Sequence, residues 1–190
     1  MNELYIWEFL GEFVNKEGKI LVCDPCHDYP GFANLVPRIK EGVWRAYKKV
    51  ASPVVQEDIP VLGSRVCALR IHHEVWGDVE VGESGELPFA VVVDSGQAGF
   101  FGVSTYQDDS VVDKDFEFVE TAGWDEEEYG RWYLMCAEAT LSKARAGIVP
   151  YGVVGETGFG DGSYSVKYSC EAGTEEVIAL EIEYIQFGTD

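Results

Sequence analysis

Residues 42–50 read Gly-Val-Trp-Arg-Ala-Tyr-Lys-Lys-Val. Taken alternately, Val43, Arg45, Tyr47 and Lys49 fall on one side and Trp44, Ala46, Lys48 and Val50 on the other. That is the period-two pattern of a half-buried strand. Residues 65–75 continue it, with Val66, Ala68 and Arg70 opposite Cys67, Leu69 and Ile71. Residues 177–187 set Val177, Ala179, Glu181, Glu183 and Ile185 against Ile178, Leu180, Ile182, Tyr184 and Gln186. Shorter runs at 19–23, 100–106, 116–119, 149–154 and 164–170 add further strands. Residues 89–93, apolar on both faces, read as a fully buried central strand.

One helix interrupts the strands. Asp125 suits an N-cap, and Glu126, Glu127 and Glu128 place negative charge in the first turn. Tyr129, Trp132, Tyr133, Cys136, Ala137, Thr140 and Leu141 recur at helical spacing. Lys143 and Arg145 fall in the last turn and Gly147 follows as a stop. The expectation is a mainly β single domain over residues 1–190. Two packed antiparallel sheets form a sandwich or partly open barrel, and the helix at 126–145 covers one face.

Charge is the strongest compositional signal. From Glu74 to Glu128 the chain holds sixteen carboxylates and one basic residue, Lys114, so this stretch carries −15 of a net −20. Like charge at this density destabilises a compact fold by self-repulsion, so a basic partner or a cation is a natural complement. Direct nucleic-acid binding is excluded as an expectation, because phosphate contacts need clustered Lys and Arg. Arg38, Lys40, Arg45, Lys48 and Lys49 form the one basic patch. It reads as a solvated edge that offsets part of the acidic region, with a small-anion site as the other reading. Asp113, Asp115 and Glu117 alternate with Lys114, Phe116 and Phe118, which on a strand aligns three carboxylates about 7 Å apart. With Asp108 and Asp109 they are the candidate partner-binding residues.

No apolar run approaches the roughly 20 residues that span a bilayer. Residues 1–10 lack a basic leader, and the five cysteines show no disulfide-framework spacing. A cytoplasmic protein with reduced thiols, no membrane contact and no cofactor is expected.

Three segments share a buried strand, then an Asp and a turn: Cys23-Asp24-Pro25-Cys26-His27, Val93-Asp94-Ser95-Gly96-Gln97, and Gly158-Phe159-Gly160-Asp161-Gly162-Ser163-Tyr164. Either each Asp ties its own loop through an Asx-turn, or the three loops meet at one end of the sheets and converge on a ligand. On the second reading the ligand-binding residues are Asp24, His27, Asp94, Ser95, Gln97, Asp161 and Tyr164. The first segment matches the C-x-x-C-H haem signature, yet no export signal or axial-ligand segment accompanies it. Cys23, Cys26 and His27 with His72 or His73 offer a weak zinc set, and no metal is expected. A redox C-x-x-C lacks its βαβ context. Ser95, Asp94 and His72 or His73 make a weak nucleophilic set without the G-x-S-x-G elbow.

On Asp24-Pro25-Cys26, Val93-Asp94-Ser95-Gly96-Gln97-Ala98-Gly99, Tyr151-Gly152-Val153-Val154 and Gly158–Tyr164, the chain resembles an uncharacterised family of bacterial and phage proteins, classed as a domain of unknown function. The signatures are D-P-C, V-D-[SA]-G and G-x-G-D-G-x-Y, in that order, across residues 18–187. The resemblance implies a compact β-rich domain often encoded by phages or mobile elements, and no established reaction. The functional expectation is a small acidic binding protein that engages a basic protein partner or sequesters a small ligand. The alternative is a hydrolase or metal-dependent enzyme at the loops of Asp24, Asp94 and Asp161.

Overall fold

The computed structural model describes residues 4–118 and 129–185 of the 190-residue chain. The strands are β1 (Tyr5–Asn15), β2 (Lys19–Cys23), β3 (Asn34–Pro37), β4 (Gly42–Ala51), β5 (Val66–His73), β6 (Val81–Val93), β7 (Gln97–Phe101), β8 (Ala146–Val149), β9 (Gly152–Glu156), β10 (Gly162–Glu171) and β11 (Val177–Glu183). Helices α1 (Pro53–Asp58) and α2 (Arg131–Leu141) and a 3-10 turn at Asp109–Val111 complete the described elements. β1-β4-β5-β11-β10-β6 form one antiparallel sheet and β3-β2-β7-β9-β8 a second, and neither closes into a barrel.

The alternation in β4 is realised residue by residue. Trp44 and Ala46 enter the core between the sheets, and Lys48 and Val50 beyond them are each only 7 % exposed. A buried ammonium is costly unless paired and hydrogen-bonded. Lys48 Nζ donates to the Ala144 carbonyl at 2.6 Å and pairs with Glu8 at 3.1 Å. On the outer face Tyr47 stacks on His72, and Arg70, with Glu181 as its register neighbour, lies 3.9 Å over the Trp7 ring.

The five-stranded sheet is a middle layer, apolar on both sides. Ile20, Val22, Ala98, Phe100 and Val153 face the six-stranded sheet. Leu21, Cys23, Phe101 and Val154 face Trp132 and Cys136 of α2. Two-sided burial leaves no position for a solvated side chain, which explains the unbroken apolar runs of β2 and β9. Packing is tightest between β7 and β9, where a Cβ on Gly99 would run into the Val153 carbonyl and the Phe101 ring.

Several sequence expectations are corrected. The run at 89–93 belongs to β6, which lies at the edge of its sheet with Val92 42 % exposed. Pro88, which cannot donate to a ladder, marks it as an edge. Residues 113–117 form no strand. Asp113 Oδ1 accepts from Asp115 N at 3.0 Å and the Asp113 carbonyl from Phe116 N at 3.0 Å, so a local turn replaces the aligned carboxylates. β7 stops at Phe101, short of Tyr106.

The proposed Asp125 cap and the Glu126–Glu128 turn lie outside the described residues. α2 as described begins at Arg131 and ends at Leu141, with Gly147 inside β8 rather than at the helix stop. β1, β3 and the first half of β6 had no counterpart in the sequence reading. No helix among the described residues is long and apolar enough to cross a membrane.

Gly99→Ala is expected to lower unfolding free energy by about 1–3 kcal/mol through overpacking, read as an earlier urea midpoint at unchanged slope.

Candidate functional site

The chain passes between the sheets twice at one corner. It leaves the six-stranded sheet at Val93 and enters the five-stranded sheet at Gln97, then returns from Glu156 to Gly162. The pairs Gly162↔Val93 and Gln97↔Glu156 set the two crossings side by side, and Cys23↔Gly99 brings the end of β2 to the same place. Thr157 N donates to the Gly96 carbonyl at 3.0 Å, and Gly96 takes a φ of 70° that a side chain would strain. The three Asp-bearing loops therefore meet at one end of the sandwich.

Asp24 holds the corner together. It is fully buried, and its Oδ2 accepts from Asp94 N at 2.9 Å and Ser95 N at 2.7 Å. Its Oδ1 accepts from Cys26 N at 2.9 Å and Ser95 Oγ at 2.6 Å. Four donors fill the acceptor positions of one carboxylate. His27, 8 % exposed, places Nε2 at 2.9 Å from Asp94 Oδ2, while its buried Nδ1 has no hydrogen-bond partner among the described residues.

Tyr106 and Gln107 clamp the loop from the other side. The Tyr106 hydroxyl is directed at the carbonyls of His27 (2.6 Å) and Asp24 (3.1 Å), and Gln107 Nε2 at those of His27 (3.1 Å) and Pro25 (3.2 Å). The buried Gln97 donates to the Tyr133 hydroxyl at 3.3 Å and accepts from Thr140 Oγ1 at 3.1 Å, tying α2 to the corner.

Asp161 and Tyr164 stand apart from this network. The Tyr164 hydroxyl is aimed at the Gly160 and Thr157 carbonyls at 2.6 and 3.2 Å, holding its own loop. Asp161 is exposed and, among the described residues, hydrogen-bonds to neither Asp24 nor Asp94. The expected convergence of three aspartates thus reduces to two carboxylates in one network, with the third loop alongside.

Beside the corner lies a cleft of about 460 Å³ lined by Pro25, Cys26, Gln107, Asp109, Tyr129, Gly130, Trp132 and Tyr133. Cys26 is the one exposed thiol of the five cysteines. Desolvation, followed by its hydrogen bond and charge repulsion with Asp24, pushes its thiol up to about 12. Burial likewise raises the Tyr133 phenol to about 12. At neutral pH the cleft thus presents a neutral thiol and a neutral phenol beside the carboxylate of Asp109. Ser95 gives its proton to Asp24 and His27 faces Asp94, so no Ser–His pair forms.

Other candidate sets are dispersed. His73 is buried, with Nε2 on the Glu41 carbonyl and Nδ1 accepting from Val75 N; His72 stacks between Tyr47 and Trp76. Cys23 Sγ bonds the Tyr106 hydroxyl at 3.3 Å. Neither the zinc set with His72 or His73 nor the Ser95 set with them is assembled. Their strand lies in the other sheet, away from the corner.

The acids near the cleft are partly committed. Asp108 caps the 3-10 turn at Ser110 N (2.8 Å), and Asp109 Oδ1 caps α2 at Trp132 N (2.8 Å). Asp113 closes its turn, while Asp115 and Glu117 are exposed. The basic patch does not offset this region. Among the described residues, ion pairs from Arg38, Lys40, Arg45, Lys48, Lys49, Arg70, Arg145 and Lys167 end on Glu8, Glu12, Glu156, Glu171, Glu175, Glu176, Glu181 and Glu183, all outside the acidic run.

No protein-family model, curated protein or solved structure matches the chain. Sequence reading missed Tyr106, Gln107, Tyr133 and Thr140 as members of the site. The helical spacing of Tyr133 and Thr140 was visible, whereas nothing local marks Tyr106 or Gln107.

Asp24→Ala strands three backbone N–H donors and is expected to cost on the order of 3 kcal/mol or more in urea unfolding. Asp24→Asn should also be costly, because an amide cannot accept on both sides and Cys26 N, unlike a hydroxyl, cannot turn away. For Cys26, a thiol raised to about 12 makes iodoacetamide alkylation of the folded protein climb about tenfold per pH unit from 7 to 10, where an ordinary thiol levels off near 9. Peptide mass spectrometry at Cys26 reads the rate.

Proposed function

We propose that the protein is a small acidic binding domain that docks a basic protein segment on the surface formed by residues 107–118 and the adjoining cleft. The reading is carried by charge placement. Arg38, Lys40, Arg45, Lys48, Lys49, Arg70, Arg145 and Lys167 pair with acids outside the Glu74–Glu117 run, so none of these ion pairs ends on Asp108, Asp109, Asp113, Asp115 or Glu117. Arg131, which reaches this loop, donates to the backbone carbonyls of Asp113 and Phe116. A cationic side chain entering the cleft meets Asp109 and the aromatic residues Tyr129, Trp132 and Tyr133, a setting that favours ammonium and guanidinium groups. The same field repels phosphate, so a nucleic acid is not the ligand.

A cytoplasmic setting fits five cysteines that form no disulfide. The resemblance to phage-type proteins makes a host factor a natural basic partner. A hydrolytic role at the corner has less support, since the Ser95 proton is committed to a carboxylate already holding three backbone donors.

Fluorescence anisotropy with a labelled octalysine peptide tests the reading. Binding should weaken steeply between low and moderate salt. Asp108→Asn/Asp113→Asn/Asp115→Asn should lose about tenfold in affinity, because removing charge at the interface lowers the attraction while Asn keeps the turn bonds. Glu80→Gln/Glu83→Gln/Glu86→Gln, on the β6 edge, should change little. Equal losses from both triple variants, or no binding at low salt, would overturn it.

A further inference from the structure

His27 is arranged like a metal ligand. Histidines that bind metals usually give their second ring N–H to a carboxylate, which fixes the tautomer and aims the free lone pair at the ion. Here Nε2 faces Asp94 Oδ2 at 2.9 Å, and a carboxylate can only accept, so Nε2 carries a proton and, in the neutral imidazole, the lone pair lies on Nδ1. Nδ1 is buried without a protein partner, in a residue more than nine-tenths buried. An unsatisfied buried acceptor is uncommon and calls for a donor or a cation.

The surroundings supply the other ligands. One atom each from Asp24, Cys26 and His27 lies within 4.8 Å of the others. We infer that Cys26 Sγ, His27 Nδ1 and the Asp24 carboxylate form a binding site for a divalent transition metal of the zinc type, with the remaining position open to the cleft that Cys26 lines. This departs from the sequence expectation of no metal, and it uses neither Cys23 nor His72 nor His73. It also stands independently of the basic-partner reading.

The ligand chemistry selects the metal. A thiolate and an imidazole with one carboxylate suit zinc or cobalt, whereas calcium and magnesium want oxygen throughout. Tetrahedral zinc, with bonds of about 2.0–2.3 Å, separates its ligand atoms by roughly 3.3–3.8 Å. With its atoms within 4.8 Å of one another, the cluster needs to contract by at most about 1.5 Å. Asp24 is saturated only while all four of its donors stay in place. Three are backbone N–H groups, but the fourth is the Ser95 hydroxyl, which can rotate off Oδ1 and vacate a lone pair.

The test is titration of the reduced, chelator-treated full chain with Co²⁺, followed by displacement with Zn²⁺. One equivalent should produce a thiolate-to-cobalt charge-transfer band and the intense visible bands of four-coordination, and zinc should abolish both. Cys26→Ser should remove the charge-transfer band, and circular dichroism checks that the variant folds. Asp94→Asn should weaken binding about 10–100-fold through the second ring nitrogen. Ser95→Ala should retain binding or tighten it, a result that a purely structural hydrogen-bond network does not predict. A charge-transfer band that survives Cys26→Ser, a weak octahedral spectrum only, or loss of binding in Ser95→Ala would overturn the assignment.

Discussion

A single buried carboxylate joins the two sheets where the chain crosses between them. Asp24 ends a strand of the middle layer, and the turn it holds, Asp94–Ser95, leads from the edge strand of the other sheet into β7. A crossing of this kind takes backbone N–H groups out of both ladders and into a buried corner, where an unpaired donor costs free energy comparable to a lost hydrogen bond. A carboxylate answers three of these donors and a hydroxyl at once, which no neutral side chain can do. The placement of His27, Cys26 and the rim of the cleft follows from that one knot.

The acidic excess divides into two structurally different parts. Glu80, Glu83 and Glu86 lie on or beside the exposed half of β6, an edge strand of unpaired backbone groups. Charge on such an edge opposes pairing with another chain, so this share has a structural cause without any partner. Asp108–Glu117 lie in a loop packed against α2, and there the carboxylates that act locally do so through one oxygen, at Ser110 N, Trp132 N and Asp115 N. Capping needs a carbonyl-type acceptor, which Asn also supplies. Net charge in the loop is therefore more than its turns require.

Much of the architecture was legible because burial writes itself into periodicity. β4, β5 and β11 each bury one face, and their alternation identified them. The middle layer was harder. Strands buried on both sides read as plain apolar runs, and the run at 89–93 carried the same signal while lying at an edge, where Pro88 was the better guide. β1 was missed because a register shift between Phe9 and Gly11 breaks its alternation, so that Tyr5, Trp7 and Phe9 stay partly or largely exposed while Phe13, at the same odd spacing, is buried. At the site, each Asp-turn motif was visible locally, but their meeting depends on register between strands far apart in sequence. Tyr106 and Gln107 reach Asp24 and His27 across about eighty residues of chain, and no spacing rule encodes that.

The corner and the cleft are mechanically one object. Cys26 lines the cleft, and its own amide is fixed to Asp24. Tyr133 lines the opposite part and meets Gln97, which Thr140 holds from two turns further along α2. Trp132, also on the wall, packs edge-on against Phe101 and Tyr106, and Tyr106 grips the Asp24–His27 loop. Every wall of the cleft named here is thus tied to the Asp24 knot through bonded or packed side chains rather than through free loop. A ligand entering it loses little to ordering the protein, and that pre-organisation lets a small cleft discriminate. It also means that a change at Asp24 should be felt at the cleft even though the carboxylate itself is sealed from solvent.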